Sequence, residues 1–274
     1  MHGARDDDDL GLFGPDSVSW RVHRETTVLF GGARALLMQA AHPLVIAGAR
    51  DTGFYERNPW KRLERTLQLQ YTITFGSRAE AMTSVERINE VHRRVKGIDP
   101  ITGKAYDALD PHLLLWVHAC LVDSALLFEQ LTVGALDDAQ RQRFHEEQKL
   151  AAEMLGVAPD QIPATVTGLR AWMDEVVEGD ELLVTDAARA VFDLFMHPPK
   201  EATWRPILRG VARMAFGTLP PSLREGYGIR WTRGKQLALH ASLRALKTLR
   251  PALPRRYRLI VPAVVAEQRI GDRA

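Results

Sequence analysis

An all-α fold is predicted by three features of this 274-residue chain. Apolar side chains recur at spacings of three and four over most of its length, the period of a helix buried on one face. Alternating β-branched runs with Asn-Gly or Asp-Gly turns, the marks of strands and hairpins, are nearly missing. Capping residues and helix-stopping glycines punctuate the ends of the periodic stretches. No internal repeat or low-complexity linker divides the sequence. One helical domain is therefore expected over residues 16–250, after a flexible Asp-rich start at 1–15 and before a basic tail at 251–274.

Each element has a local cause. Val18 to Glu25 opens the first helix. Gly31-Gly32 loosens the start of the next, which carries Leu36, Leu37, Met38 and Ala41 before Pro43 kinks or restarts it. Asn58-Pro59 is a turn signal. Trp60 to Phe75 follows with Leu63, Leu67, Tyr71 and Phe75 on one face, stopped by Gly76. Ser77 caps a helix expected to reach Val95, with Gly97 beyond it. Ile98 to Asp110 reads as a loop. Asp110-Pro111 opens a strongly apolar helix to Leu131, proline suiting its first position. Helices over Asp137 to Leu155, Ala164 to Val177 and Thr185 to Phe195 follow. His197-Pro-Pro199 breaks the chain, Ala202 to Phe216 is helical, Leu219-Pro-Pro is a corner, and Thr232 to Leu249 is the last clear helix.

Composition narrows the function classes. A net charge of +2 gives no global field for nucleic acid. The one cysteine, Cys120, excludes a disulfide framework and a cysteine-built zinc or iron–sulfur site, and suits a reducing compartment. No leader peptide pattern and no uninterrupted apolar run of membrane-spanning length stands out, so a cytoplasmic setting is expected. From Arg230 to Arg258, Arg230, Arg233, Lys235, Arg244, Lys247, Arg250, Arg255, Arg256 and Arg258 occur without one acidic residue. A solvated basic face accounts for this; peripheral contact with an acidic membrane surface is the sharper reading. P-loop, dinucleotide-fingerprint, nucleophile-elbow and His-Glu-x-x-His patterns are absent, as is the Glu-x-x-His pair of di-iron bundles.

Four groups could carry chemistry. Arg62 and Thr66 lie four apart and share a helix face, so a guanidinium and a hydroxyl could together position an anion or a bound oxygen species. His42 sits at the Pro43 break in an apolar segment, where it could border a ligand pocket or bond a freed carbonyl. His118 falls in the most apolar helix and should be buried; Asp123, five positions on, is a poor partner for it. His92 follows a stripe of Val85, Ile88, Val91 and Val95, opposite Glu86, Arg87, Glu90, Arg93, Arg94 and Lys96. A neutral imidazole on such a face can ligate a metal, although periodicity alone favours a hydrogen-bonded structural ring.

Taken in order, Leu36-Leu-Met-Gln-Ala-Ala-His-Pro43, Arg62-Leu-Glu-Arg-Thr66, Phe75-Gly76, Val91-His-Arg-Arg-Val-Lys-Gly97, Tyr106-Asp-Ala-Leu-Asp-Pro111, Trp116-Val-His118, Leu219-Pro-Pro-Ser-Leu-Arg224 and Tyr227-Gly228 resemble the MpaB/rubber-oxygenase family, which includes the latex clearing proteins. The resemblance spans roughly Val28 to Leu246. It implies a globin-like helical core around haem b, with His92 of the His-x-x-Val-x-Gly motif as the axial iron ligand. His42, His118 and Tyr71 are the further residues expected to contact the cofactor. The distal Arg-x-x-Lys-Thr pattern of the family corresponds to Arg62, Arg65 and Thr66, with Arg65 replacing the lysine. Arginine stays charged and cannot become an iron ligand, so the sixth position is expected open, water-bound or capped by a group such as His42. The implied activity is oxygenation, by O2, of a small apolar alkene- or isoprenoid-like substrate. Rubber itself is not expected, because no secretion signal leads the chain. A non-catalytic haem-binding or cofactor-less member is the alternative.

Overall fold

The computed structural model describes residues 10–51, 59–197 and 205–271, with the backbone alone at 59–63 and 65. It is all-α, as the periodicity predicts. In chain order the helices are α1 (Val18–His23), α2 (Thr26–Leu29), α3 (Gly31–Ala40), α4 (Pro43–Asp51), α5 (Pro59–Phe75), α6 (Arg78–His92), α7 (Pro111–Thr132), α8 (Asp138–Met154), α9 (Val166–Glu178), α10 (Asp186–Met196), α11 (Arg205–Gly217), α12 (Pro221–Gly226), α13 (Arg233–Leu249), α14 (Arg255–Arg258) and α15 (Val261–Gly271).

α7 is the centre. It is apolar almost all round, and Leu115, Trp116, Ala119, Cys120, Val122, Leu126 and Phe128 are buried. Each large side chain among them contributes about 1.5–3 kcal/mol by leaving water. α7 is also long and apolar enough to cross a bilayer, a property the sequence reading does not anticipate. Two thirds of its most apolar window is buried inside this fold, the profile of a core helix. α3 packs along it closely enough that a Cβ on Gly31 would lie 2.7 Å from the Ser124 carbonyl oxygen. Asp110 starts α7 by accepting hydrogen bonds from the backbone N–H of His112 (2.8 Å) and Leu113 (3.3 Å). Buried Arg34 of α3 is clamped onto α7, 2.8 Å from Asp123 and 2.7 Å from the Ser124 hydroxyl that accepts from it.

Two further junctions frame the site. Pro43 turns the chain sharply: the α2–α3 segment and α4 meet at 101°. α5 and α6 form a helical hairpin about Gly76-Ser77, where Ser77 and Glu80 make a reciprocal capping box.

The structure differs from the sequence expectation in four places. α6 ends at His92 rather than Val95, and Lys96–Ile98 pairs antiparallel with Ala105–Asp107 as a short hairpin inside the stretch read as a loop. Gly97 is thus a strand residue, not a helix stop. A Cβ there would lie 2.5 Å from the Tyr106 hydroxyl oxygen, so this close crossing needs glycine. The Pro220-Pro221 corner carries the short helix α12. Beyond residue 250 the chain forms α14 and α15, and Ile260, Ala263 and Ala266 bury against Trp20 and Phe75. The break expected at His197-Pro-Pro199 falls, after His197 itself, outside the described residues, as does the expected start of the next helix at 202–204.

Candidate functional site

His92 is the last residue of α6. The inward face of that helix carries Ala81, Ser84 and Val85, all buried, with Ile88 partly so. His92 continues the face, seven residues after Val85 and four after Ile88, and is half-buried. Val91, assigned to the dry stripe by periodicity, instead points outward at 50% exposure. The buried Nδ1 of His92 has no hydrogen-bond partner among the described residues. Burial lowers its pKa below the usual histidine value, so the ring is neutral near pH 7 and offers a lone pair. A depression of about 370 Å³ flanks α6, lined by Met82, Val85, Asn89, Arg93 and Met154.

Arg62 and Arg65 lie on α5, where the side chains are outside the described residues. Thr66 is on the same helix and exposed. Tyr71, further along α5, meets Phe75 at 6.3 Å between ring centroids, and Phe75 meets Trp20 edge-on at 4.9 Å. Burial pushes the Tyr71 phenol up to about 12. Tyr71 thus stands in the cluster covered by α15, at the Gly76 end of the hairpin.

His118 is buried in the middle of α7, and its Nε2 has no partner among the described residues. Burial, then the neighbouring His145, lowers its pKa to about 4. As expected, Asp123 is not its partner: that carboxylate is held by Arg34 and, at 3.4 Å, by Arg170.

His42 marks the break between α3 and α4. It is 4% exposed, and its Nε2 lies 3.7 Å from Oε2 of Glu181. The same carboxylate oxygen is 2.6 Å from Nε2 of His112, in the first turn of α7. Three side chains distant in sequence thereby meet at one oxygen. Local motif reading passes over His112 and Glu181, because no short spacing links positions 42, 112 and 181. The framework around them is fixed: Leu183 N–H donates to the Ala41 carbonyl at 2.8 Å, and the His112 ring stands edge-on to Trp172 at 5.5 Å. Burial lowers the pKa of His42, partly opposed by the Glu181 carboxylate.

Comparison with known proteins covers the same span as the motifs. A profile for the catalytic domain described as "ER-bound oxygenase mpaB/B'/Rubber oxygenase" matches residues 20–248. Two relatives, the uncharacterized proteins Mb2261 of Mycobacterium bovis and Rv2237 of Mycobacterium tuberculosis, are each 23% identical over 248 residues, covering 82% of this chain and 89% of theirs. No solved structure matches significantly. With the helical fold and the match from α1 into α13, the chain belongs to the MpaB/rubber oxygenase catalytic-domain family.

Proposed function

We propose that this chain is a haem b-dependent oxygenase that uses O2 on a small apolar, alkene- or isoprenoid-like substrate, and that His92 would hold the haem iron. Family membership supports the oxygenase role. The observation that carries the haem reading is the neutral His92 imidazole, whose buried Nδ1 has no partner among the described residues. That donor chemistry fits a haem iron, which is ligated by an unprotonated ring nitrogen. When bound, the haem would supply the redox chemistry of O2 activation.

The protein's own contribution begins with placement. α5 and α6 run back from the Gly76-Ser77 turn. At about 1.5 Å per residue, Arg62 and His92 are each roughly 20 Å along their own helices from that turn. Arg62 and Thr66 would donate hydrogen bonds to a developing negative charge on that side. Arg65 keeps its proton under all ordinary conditions, so it cannot cap a metal as the family's lysine can. The same replacement favours a second reading, a haem-binding member without turnover.

The experiment is an absorption spectrum of the purified chain with and without dithionite, followed by product analysis with O2 and a panel of alkenes. A Soret band with O2 consumption and a cleaved or oxygenated product supports the oxygenase. A Soret band without turnover supports the second reading.

A further inference from the structure

We propose that His42, His112 and Glu181 form a binding site for one divalent first-row transition-metal ion, built on elements other than the one that carries His92. Two imidazole nitrogens and one carboxylate oxygen, one donor per residue, lie within 4.8 Å of one another. Two histidines and a carboxylate are a known donor set for Zn²⁺ and for non-haem Fe²⁺, with the remaining positions open to water or ligand.

The distances suit that role. Metal–ligand bonds of about 2.0–2.2 Å put donor atoms roughly 3.0 Å apart at right angles and roughly 3.4 Å apart in a tetrahedron. The His42 to Glu181 separation is 3.7 Å, and the His112 to Glu181 hydrogen bond is 2.6 Å. Changes of less than ~1 Å bring both pairs into range. The residues that must move are the ones free to do so: the His112 and Glu181 side chains are 44% and 38% exposed, while His42 is held in the core at 5%.

The donors are anchored in three separate pieces of backbone. His42 is set by the Pro43 break, His112 by the Asp110 cap, and Glu181 by the loop whose Leu183 N–H is bonded to Ala41. An ion here would join the α3–α4 corner, the start of the core helix and the loop before α10. Buried His42 points its Nε2 at the Glu181 carboxylate, where an imidazole nitrogen can coordinate an ion shared with that oxygen. The Glu181 carboxylate, with Asp110 close enough to influence His42, offsets the charge of the cation. The partial exposure of two donors gives the ion a route in and leaves coordination positions facing solvent. Of the three donors, the sequence alone marks His42, as an expected haem contact; tertiary packing brings it together with His112 and Glu181.

The test is titration of the purified chain with Co²⁺, read by its visible d–d bands, and with Zn²⁺, read by thermal melting. His112→Gln and Glu181→Gln serve as variants because both side chains are partly exposed and their loss leaves the core intact. The expected result is saturation at one Co²⁺ per chain and a Tm raised by several degrees with Zn²⁺. Each variant should weaken Co²⁺ binding at least tenfold and abolish the Zn²⁺-dependent shift, while any Soret band persists. Co²⁺ binding unchanged in both variants, or no binding at millimolar Co²⁺, would overturn the site. A Soret band lost in both variants would also overturn it, by placing these residues at the haem. The absence of haem from the wild type would bear on His92 alone.

Discussion

Single residues in this chain show how burial selects protonation states. His118 is held in the core helix with no partner at Nε2 among the described residues and a pKa lowered to about 4. In the unfolded chain it titrates near 6.5. Between those values the unfolded state binds the extra proton, so stability falls as pH falls through this window and levels off below about 4. The cost from this one ring approaches roughly 3 kcal/mol at the acid end, at about 1.4 kcal/mol per pH unit. Urea unfolding at pH 7 and pH 5 checks this: His118→Gln should lose stability less steeply than the wild type over that interval, and equal slopes would contradict it. The burial of His118 was legible from the apolar helix around it. The direction of Val91 was not, because a helix that stops at His92 frees its last turn, and sequence period alone does not locate the stop.

At the level of elements, the helices were legible where their caps are local. Ser77, Asp110, Asp137, Thr165, Thr185 and Thr232 each accept a hydrogen bond from a backbone N–H in the first turn of the helix they precede. The hairpin of Lys96–Ile98 with Ala105–Asp107 was not legible. Its strands are three residues long, too short to show alternation, and the close approach of Gly97 to Tyr106 exists only in the paired register. A prediction follows from that crossing. Gly97→Ala puts a methyl against the rigid Tyr106 ring, with Cζ 2.7 Å from the new Cβ, and should cost about 1–3 kcal/mol. Adding Tyr106→Ala should make the pair clearly non-additive in a double-mutant cycle read by chemical denaturation. Additive costs would show that the crossing is relaxed in solution. The trio of His42, His112 and Glu181 was hidden for the same reason: tertiary packing assembles it, and no spacing announces it.

Across the whole molecule, the chain after residue 250 is part of the fold. The Arg250 guanidinium pairs with buried Glu25, its Nε donating to Oε2 at 2.9 Å, and Leu259 bridges to Glu25 through the backbone. Several cations that read as a free basic face are therefore engaged: Arg250 with Glu25, Arg255 with Glu267, and Lys247 with the Gln130 carbonyl. Glu25→Ala would strand the mostly buried Arg250 charge and should cost about 3–5 kcal/mol. Thermal melting of that variant tests it, and a Tm unchanged from wild type would contradict a structural role for the Arg250–Glu25 pair. The proposed haem chemistry rests on His92. Its most direct test is the absorption spectrum of purified wild type, His92→Ala and His118→Ala, each with haemin added and excess removed. The account predicts a Soret band in wild type and His118→Ala that is lost in His92→Ala; a band retained in His92→Ala and lost in His118→Ala, or no band in any of the three, would contradict it.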